Sequence, residues 1–85
     1  MKVVFTKRFE REMKKIPISL RAETKEKIEQ FIDDPHCSNL KTHKLSGQMK
    51  NFWSFSINFK FRIIFKYSED GTIAFYSIGD HSIYD

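Results

Sequence analysis

The amino-acid sequence predicts an α+β domain in which two N-terminal helices pack on one face of an antiparallel sheet. Three observations carry that expectation: apolar residues recur at helical spacing up to Ile32, they alternate at strand spacing from Phe52 onward, and turn residues separate the segments. At 85 residues the chain is read as one domain, 1–85. So short a chain builds its core from a few large side chains, and nine Phe, three Tyr and one Trp supply them.

Lys2–Phe5 is a β-branched and aromatic run, read as a first strand, and Thr6 can cap the helix that follows. In that helix Phe9, Met13 and Ile16 recur at i, i+4, i+7, and Pro17 stops it. Ser19 is placed as the cap of a second helix, whose apolar side is Leu20, Ile28, Phe31 and Ile32 and which ends at Asp33, Asp34 and Pro35. Charges alternate along both helices, with pairs such as Glu10–Lys14 and Glu23–Lys27 at i, i+4, the pattern of a solvated outer face. A strand is expected near Lys41–Leu45. Then Trp53, Phe55 and Ile57 alternate with Ser54, Ser56 and Asn58, and Phe59, Phe61, Ile63, Phe65 and Tyr67 alternate with Lys60, Arg62, Ile64 and Lys66. Ser68–Gly71 is a turn, Thr72–Ile78 a last strand and Gly79–Asp85 a tail. Trp53, Phe55, Phe61, Ile63 and Phe65 are expected in the core beneath Phe9, Met13, Ile28 and Phe31. Two helices cover one face of such a sheet, which leaves the other open to Lys60, Arg62 and Lys66.

Cys37 is the sole cysteine, which excludes an internal disulfide and a cysteine metal cluster and suits a reducing cytosol. The first residues lack the apolar run of a secretion signal, and no stretch approaches the roughly 20 apolar residues that span a bilayer. The expectation is a soluble, cytoplasmic protein with no membrane partner. The net charge of +4 is unevenly spread. Residues 1–34 hold nine Lys/Arg and seven Asp/Glu, residues 35–68 hold six Lys/Arg and no acid, and residues 69–85 hold four acids and no Lys/Arg. A purely basic middle block with interleaved aromatics is the footprint of a polyanion-binding surface. Lysines that deter pairing at a sheet edge give the same count.

Lys60, Arg62 and Lys66 share parity, and an arginine fork on an open face matches a phosphate bidentately. Exposed strand positions also carry Lys or Arg with no task, so parity alone does not decide. No two of His36, His43 and His81 sit at metal-ligand spacing, so no metal or cofactor is expected. His81 stands apart because it shares a short tail with Tyr84 just after a strand and a glycine, where a His–Tyr pair suits proton transfer and phosphate contact. Serine elbows, phosphate-binding glycine loops and paired catalytic carboxylates are absent from the sequence, which speaks against glycosidase and two-metal nuclease chemistry.

Leu40–Gly47 (LKTHKLSG), Trp53-Ser54, Phe61–Phe65 (FRIIF) and Ile78–Tyr84 (IGDHSIY), in that order after a two-helix segment joined at KKIP, resemble the RelE/ParE toxin superfamily, nearest to its RelE, YoeB and YafQ-like ribonuclease branches. The resemblance spans nearly the whole chain. It implies a curved antiparallel sheet like that of small microbial ribonucleases, a cognate antitoxin, and metal-independent cleavage of messenger RNA on the ribosome by attack of the ribose 2′-hydroxyl on the adjacent phosphate. On this resemblance Arg62 stabilises phosphate charge, His81 is a general acid or base, and Tyr84 is the C-terminal aromatic that contacts the substrate nucleotide. Lys41, His43 and Lys44 fall in the basic segment that contacts RNA, to which the charge pattern adds Lys60 and Lys66. One departure stands out. The glutamate that YoeB-like toxins carry before the LSG-type segment is missing, and Asn39 lies near that place. The general base is then His81, His43 or a lysine, or the enzyme is slow. The other reading is a binding protein, either a ParE-like gyrase-directed toxin or a catalytically silent paralogue that only binds ribosome or antitoxin; Arg62 with His81 favours the enzyme.

Overall fold

A computed structural model describes residues 2–80, so His81 and Tyr84 lie outside the described residues. Five strands, β1 (Val3–Phe5), β2 (His43–Lys44), β3 (Trp53–Ser56), β4 (Arg62–Tyr67) and β5 (Ile73–Gly79), form one sheet in the order β1-β5-β4-β3-β2. The pairs are antiparallel except β1–β5, which is parallel. Helices α1 (Lys7–Met13) and α2 (Ile18–Asp33) precede β2 to β5, so the α+β expectation holds. Phe9 of α1 and Phe31 of α2 share one core with Phe55, Ile63, Phe65, Phe75 and Ile78 of the sheet. Trp53, Phe61, Met13 and Ile28 pack against that core partly buried.

Thr6 starts α1 as expected. Its hydroxyl oxygen accepts from Phe9 N at 3.1 Å, and its proton is shared between the Phe75 and Tyr76 carbonyls at 3.0 and 3.2 Å. One hydroxyl thus caps the helix and ties it to β5. Thr6→Ala is expected to cost about 1 kcal/mol, the usual value of a lost N-cap, with Thr6→Ser close to the parent. Urea denaturation reads the difference, and an unchanged midpoint for the alanine variant would contradict the double role.

The helix boundaries differ from expectation. α1 ends at Met13, before Pro17, and Ile16 is buried in the connection. Pro17, its φ at −55°, occupies the N-cap of α2 with no side-chain cap, and Ser19 lies inside the first turn. Ile32 is exposed, so the apolar stripe of α2 is narrower than the sequence implied.

Two features of the sheet position the site. β5 shifts register against β4, where Ile64 pairs with Ser77 but Phe65 pairs with Phe75, so Tyr76 is an extra residue. Without that bulge the period-2 rule would send Ser77 into the core and Ile78 out of it. The bulge reverses both. Ser77 turns to the opposite face, where its hydroxyl donates to Glu12 Oε1 at 2.8 Å, and the same oxygen accepts from Ile78 N at 3.2 Å. Glu12 of α1 therefore satisfies the edge of β5 beyond the reach of β1.

The second feature is the β3–β4 turn. Alternation over residues 59–67 suggested one long strand carrying Lys60, Arg62 and Lys66, but β4 begins at Arg62. Asn58 breaks the pattern, since its Oδ1 accepts from both Lys60 N and Phe61 N at 2.8 Å, an Asx turn that competes with strand hydrogen bonding. Phe59 and Lys60 are exposed turn residues, and Lys60 does not share the strand face of Arg62 and Lys66. The Ser68–Gly71 turn is found where expected. Asp70 there accepts from Thr72 N at 3.0 Å, and bonds from the Thr72 backbone and side chain hold its carboxyl below the usual carboxylate range.

Candidate functional site

Strand register decides which candidates share a face. On the face opposite the Phe31–Phe65 core, His43 pairs with Ser54, Ser54 with Ile64, and Ile64 with Ser77, a row that crosses four strands. The next row is Ser56, Arg62 and Gly79. His43 and Arg62 therefore project from the same face one row apart. Lys66 lies on that face two residues beyond Ile64. Lys44 does not join them. It pairs with Trp53, whose partner is Phe65 of the core, so its side chain projects on the helix side.

Arg62 is half-buried at the start of β4. Its Nη1 donates to Ser56 Oγ at 3.3 Å and to the Asn58 carbonyl at 3.2 Å. Those bonds fix the guanidinium against β3 without neutralising it. Arg62 lines a cavity of about 280 Å³ with Lys27, Lys41, Glu23, Asn39, Asn58 and Phe59. Lys41, exposed, sits in the left-handed region at φ 52° where the chain leaves the short 3₁₀ turn Ser38–Leu40. His43 is exposed on the edge strand β2, its Nδ1 2.9 Å from the Lys41 carbonyl. A carbonyl can only accept, so Nδ1 carries the proton and Nε2 keeps the lone pair in the neutral ring. Lys60 reaches back over its neighbour, Nζ 5.8 Å from the Phe61 ring centre.

The face is less open than the sequence implied. Ile64, Ser54 and Ser77 at its centre are fully buried, so the exposed cations stand around a closed middle. Beside it the Phe52 and Tyr76 rings pack 4.9 Å apart, with Lys66 Nζ 5.8 Å from the Phe52 ring centre. Arg8 from α1 lies 4.7 Å from the Tyr76 ring centre and donates to its hydroxyl at 3.0 Å. Sequence reading missed Lys27, Glu23 and Arg8 because they lie on helices whose charges looked uniformly solvated. Ser56 had a signal in the alternation of β3, though its pairing with Arg62 needs the register. On the opposite side an apolar groove of about 620 Å³ runs between the helices, lined by Phe5, Phe9, Met13 and Ile28 and rimmed by Lys14, Arg21 and Lys25 with Glu10 and Glu29. Among the described residues, no three His, Cys, Asp or Glu side chains are grouped to hold a metal, and no helix is long and apolar enough to cross a membrane.

Solved structures of toxins share this fold. A YoeB/ParE toxin from Agrobacterium tumefaciens matches at 19% identity and a TM-score of 0.75, over 95% of this chain and 99% of that one. YafQ from Escherichia coli matches at 15% identity and a TM-score of 0.80, over 98% and 96%. The RelBE2 toxin–antitoxin complex from Mycobacterium tuberculosis contains a chain matching at 16% identity and a TM-score of 0.75, over 94% and 96%. At such identities these likenesses establish the fold. A search of curated protein sequences finds no match. The family model described as the ParE toxin of the type II toxin–antitoxin system parDE matches residues 3–83. On that match, which spans nearly the whole sequence, the chain belongs to the ParE toxin family of type II toxin–antitoxin systems and so to the RelE/ParE superfamily.

Proposed function

We propose that this toxin is a ribosome-dependent endoribonuclease that cleaves messenger RNA by attack of a ribose 2′-hydroxyl on the adjacent phosphate. The observation that carries the reading is Arg62, a guanidinium held by Ser56 and Asn58 at the mouth of a cation-lined cavity. Such a group binds a phosphate in the ground state and gains more as charge grows on the phosphorane. His81 transfers a proton, and Tyr84 contacts the nucleotide. Lys41, His43, Lys60 and Lys66 hold the RNA backbone, with Lys44 reaching it from the sheet edge. His43, with Nε2 free to take a proton and its side chain on the Arg62 face, is a second choice of base. A cognate antitoxin binds the toxin and restrains it, a reading supported by the RelBE2 and DinJ–YafQ toxin–antitoxin complexes, which contain chains of this fold.

The family match to ParE favours a second reading, a toxin directed at DNA gyrase or one that only binds. Two assays separate them, one on induced cells and one with purified toxin added to gyrase. Mapping of messenger RNA 5′ ends is expected to reveal new ends within translated codons, while gyrase supercoiling by the purified toxin stays unaffected. Inhibited supercoiling with intact messengers would replace the nuclease reading with the gyrase one, and silence in both would leave a binding protein.

A further inference from the structure

Phe59 stands at the tip of the β3–β4 turn with 88% of its surface exposed, more than any other large apolar residue described. A single exposed ring is ordinary on a protein surface. The turn that carries this one is held in place and borders the site. Asn58 clamps the turn by accepting from Lys60 N and Phe61 N, and its Nδ2 donates to Glu23 Oε1 of α2 at 3.2 Å. Its carbonyl receives Nη1 of Arg62. The turn is thus anchored to a helix and to the arginine at once, and its backbone has little freedom left to lose when a ligand binds. The cavity beside it presents three cations, Lys27, Lys41 and Arg62, against the one carboxylate of Glu23, and Phe59 is among its lining residues.

We propose that Phe59 and this cavity form a nucleotide subsite for single-stranded RNA. The Phe59 ring stacks on an unpaired base, while Lys27 and Lys41 take the backbone phosphate next to the one that Arg62 holds. The proposal rests on the nuclease reading and adds to it the nucleotide that flanks the scissile bond. An aromatic face beside a cationic groove is the arrangement that binds single strands with little regard to sequence, because every base has a π-face and every nucleotide a phosphate. A base inside a duplex cannot offer its face, so double-stranded RNA is excluded. The Glu23 oxygen at the cavity wall accepts from a base amino group and repels phosphate, which orients the base inward and the backbone toward the lysines. A protein partner is the competing occupant of an exposed ring, and the cation excess of the cavity favours the nucleic acid.

The test uses the full-length toxin with a short fluorescently labelled single-stranded RNA of mixed sequence, the same strand annealed to its complement, and the antitoxin. Phe59→Ala is expected to weaken single-strand binding on the order of tenfold, and Phe59→Trp to preserve it. Lys27→Ala with Lys41→Ala should also weaken it and flatten its salt dependence. Duplex binding should be equal for wild type and Phe59→Ala. Because the ring is exposed, the variants keep the fold, which circular dichroism checks. Unchanged single-strand affinity in Phe59→Ala overturns the subsite, as does a wild type that fails to bind the strand. Loss of antitoxin binding alone in Phe59→Ala also overturns it and makes the turn a protein contact. Messenger cleavage separates this proposal from the one beneath it. Wild-type cleavage together with Phe59→Ala binding as wild type rejects only the subsite, whereas no wild-type cleavage rejects the nuclease.

Discussion

Arg62→Ala is expected to lower messenger cleavage on the order of 100- to 1000-fold, the usual loss when a placed charge stabiliser is removed. Induced cells should then grow. The described bonds of the guanidinium run to Ser56 and Asn58 from a half-buried position, so its removal costs about 1 kcal/mol per bond and leaves the protein folded. Arg62→Lys keeps the charge but loses the planar fork, and should recover only part of the rate. His81→Ala is expected to cost on the order of 100- to 10000-fold, the range for a lost general acid or base. Tyr84→Phe should be milder than Tyr84→Ala, since stacking survives loss of the hydroxyl. Both Arg62 and His81 variants should still bind antitoxin, which separates a catalytic loss from unfolding. A folded Arg62→Ala, His81→Ala double variant that stays fully toxic would remove the nuclease mechanism and leave gyrase binding as the leading explanation.

Phe31→Ala is the substitution with the largest expected effect on stability. Its ring is fully buried, stacks on Phe55 at 4.3 Å between centres, and meets Phe65 edge-on at 4.8 Å and Phe75 at 5.7 Å. It is the side chain through which α2 holds three strands. Truncation to alanine typically costs about 3–5 kcal/mol, the lost transfer energy plus the cavity left behind. A small domain has about 5–15 kcal/mol in total, so the variant should unfold at much lower urea concentration. Phe31→Leu should lie between. A Phe31→Ala midpoint equal to that of the parent would show that α2 does not dock as described.

The sequence told most where a local rule met no competitor. Thr6 as cap, the helical period through Phe9 and Met13, the core role of Phe55, Ile63 and Phe65, and the basic acid-free middle all follow from nearest-neighbour physics. The parallel pairing of β1 with β5 joins residues about seventy positions apart, and no local pattern encodes it. The Tyr76 bulge is likewise hidden, because the nearly continuous apolar run Ile73–Gly79 reads only as a strand, and the register with β4 and the Glu12 partner of Ser77 and Ile78 reveal where it shifts. At Phe59 the period continued through a turn, and the Asx chemistry of Asn58 outweighed it. Pro17 took the cap position assigned to Ser19. Among the candidate site residues, the face shared by Arg62 and Lys66 was legible from parity, which by itself gave neither a task. The exclusion of Lys44 from its face and the arrival of Lys27 and Glu23 beside it required strand register and helix placement.

The chemistry of the cut RNA ends identifies the nucleophile. Translated messenger is incubated with purified toxin, and the fragments are treated with polynucleotide kinase with and without its phosphatase activity. With the ribose hydroxyl as nucleophile, the expected fragments have 5′-hydroxyl ends that accept labelled phosphate at once, and upstream partners closed by a 2′,3′-cyclic phosphate. Fragments bearing 5′-phosphates, which require water as the nucleophile, would contradict that chemistry.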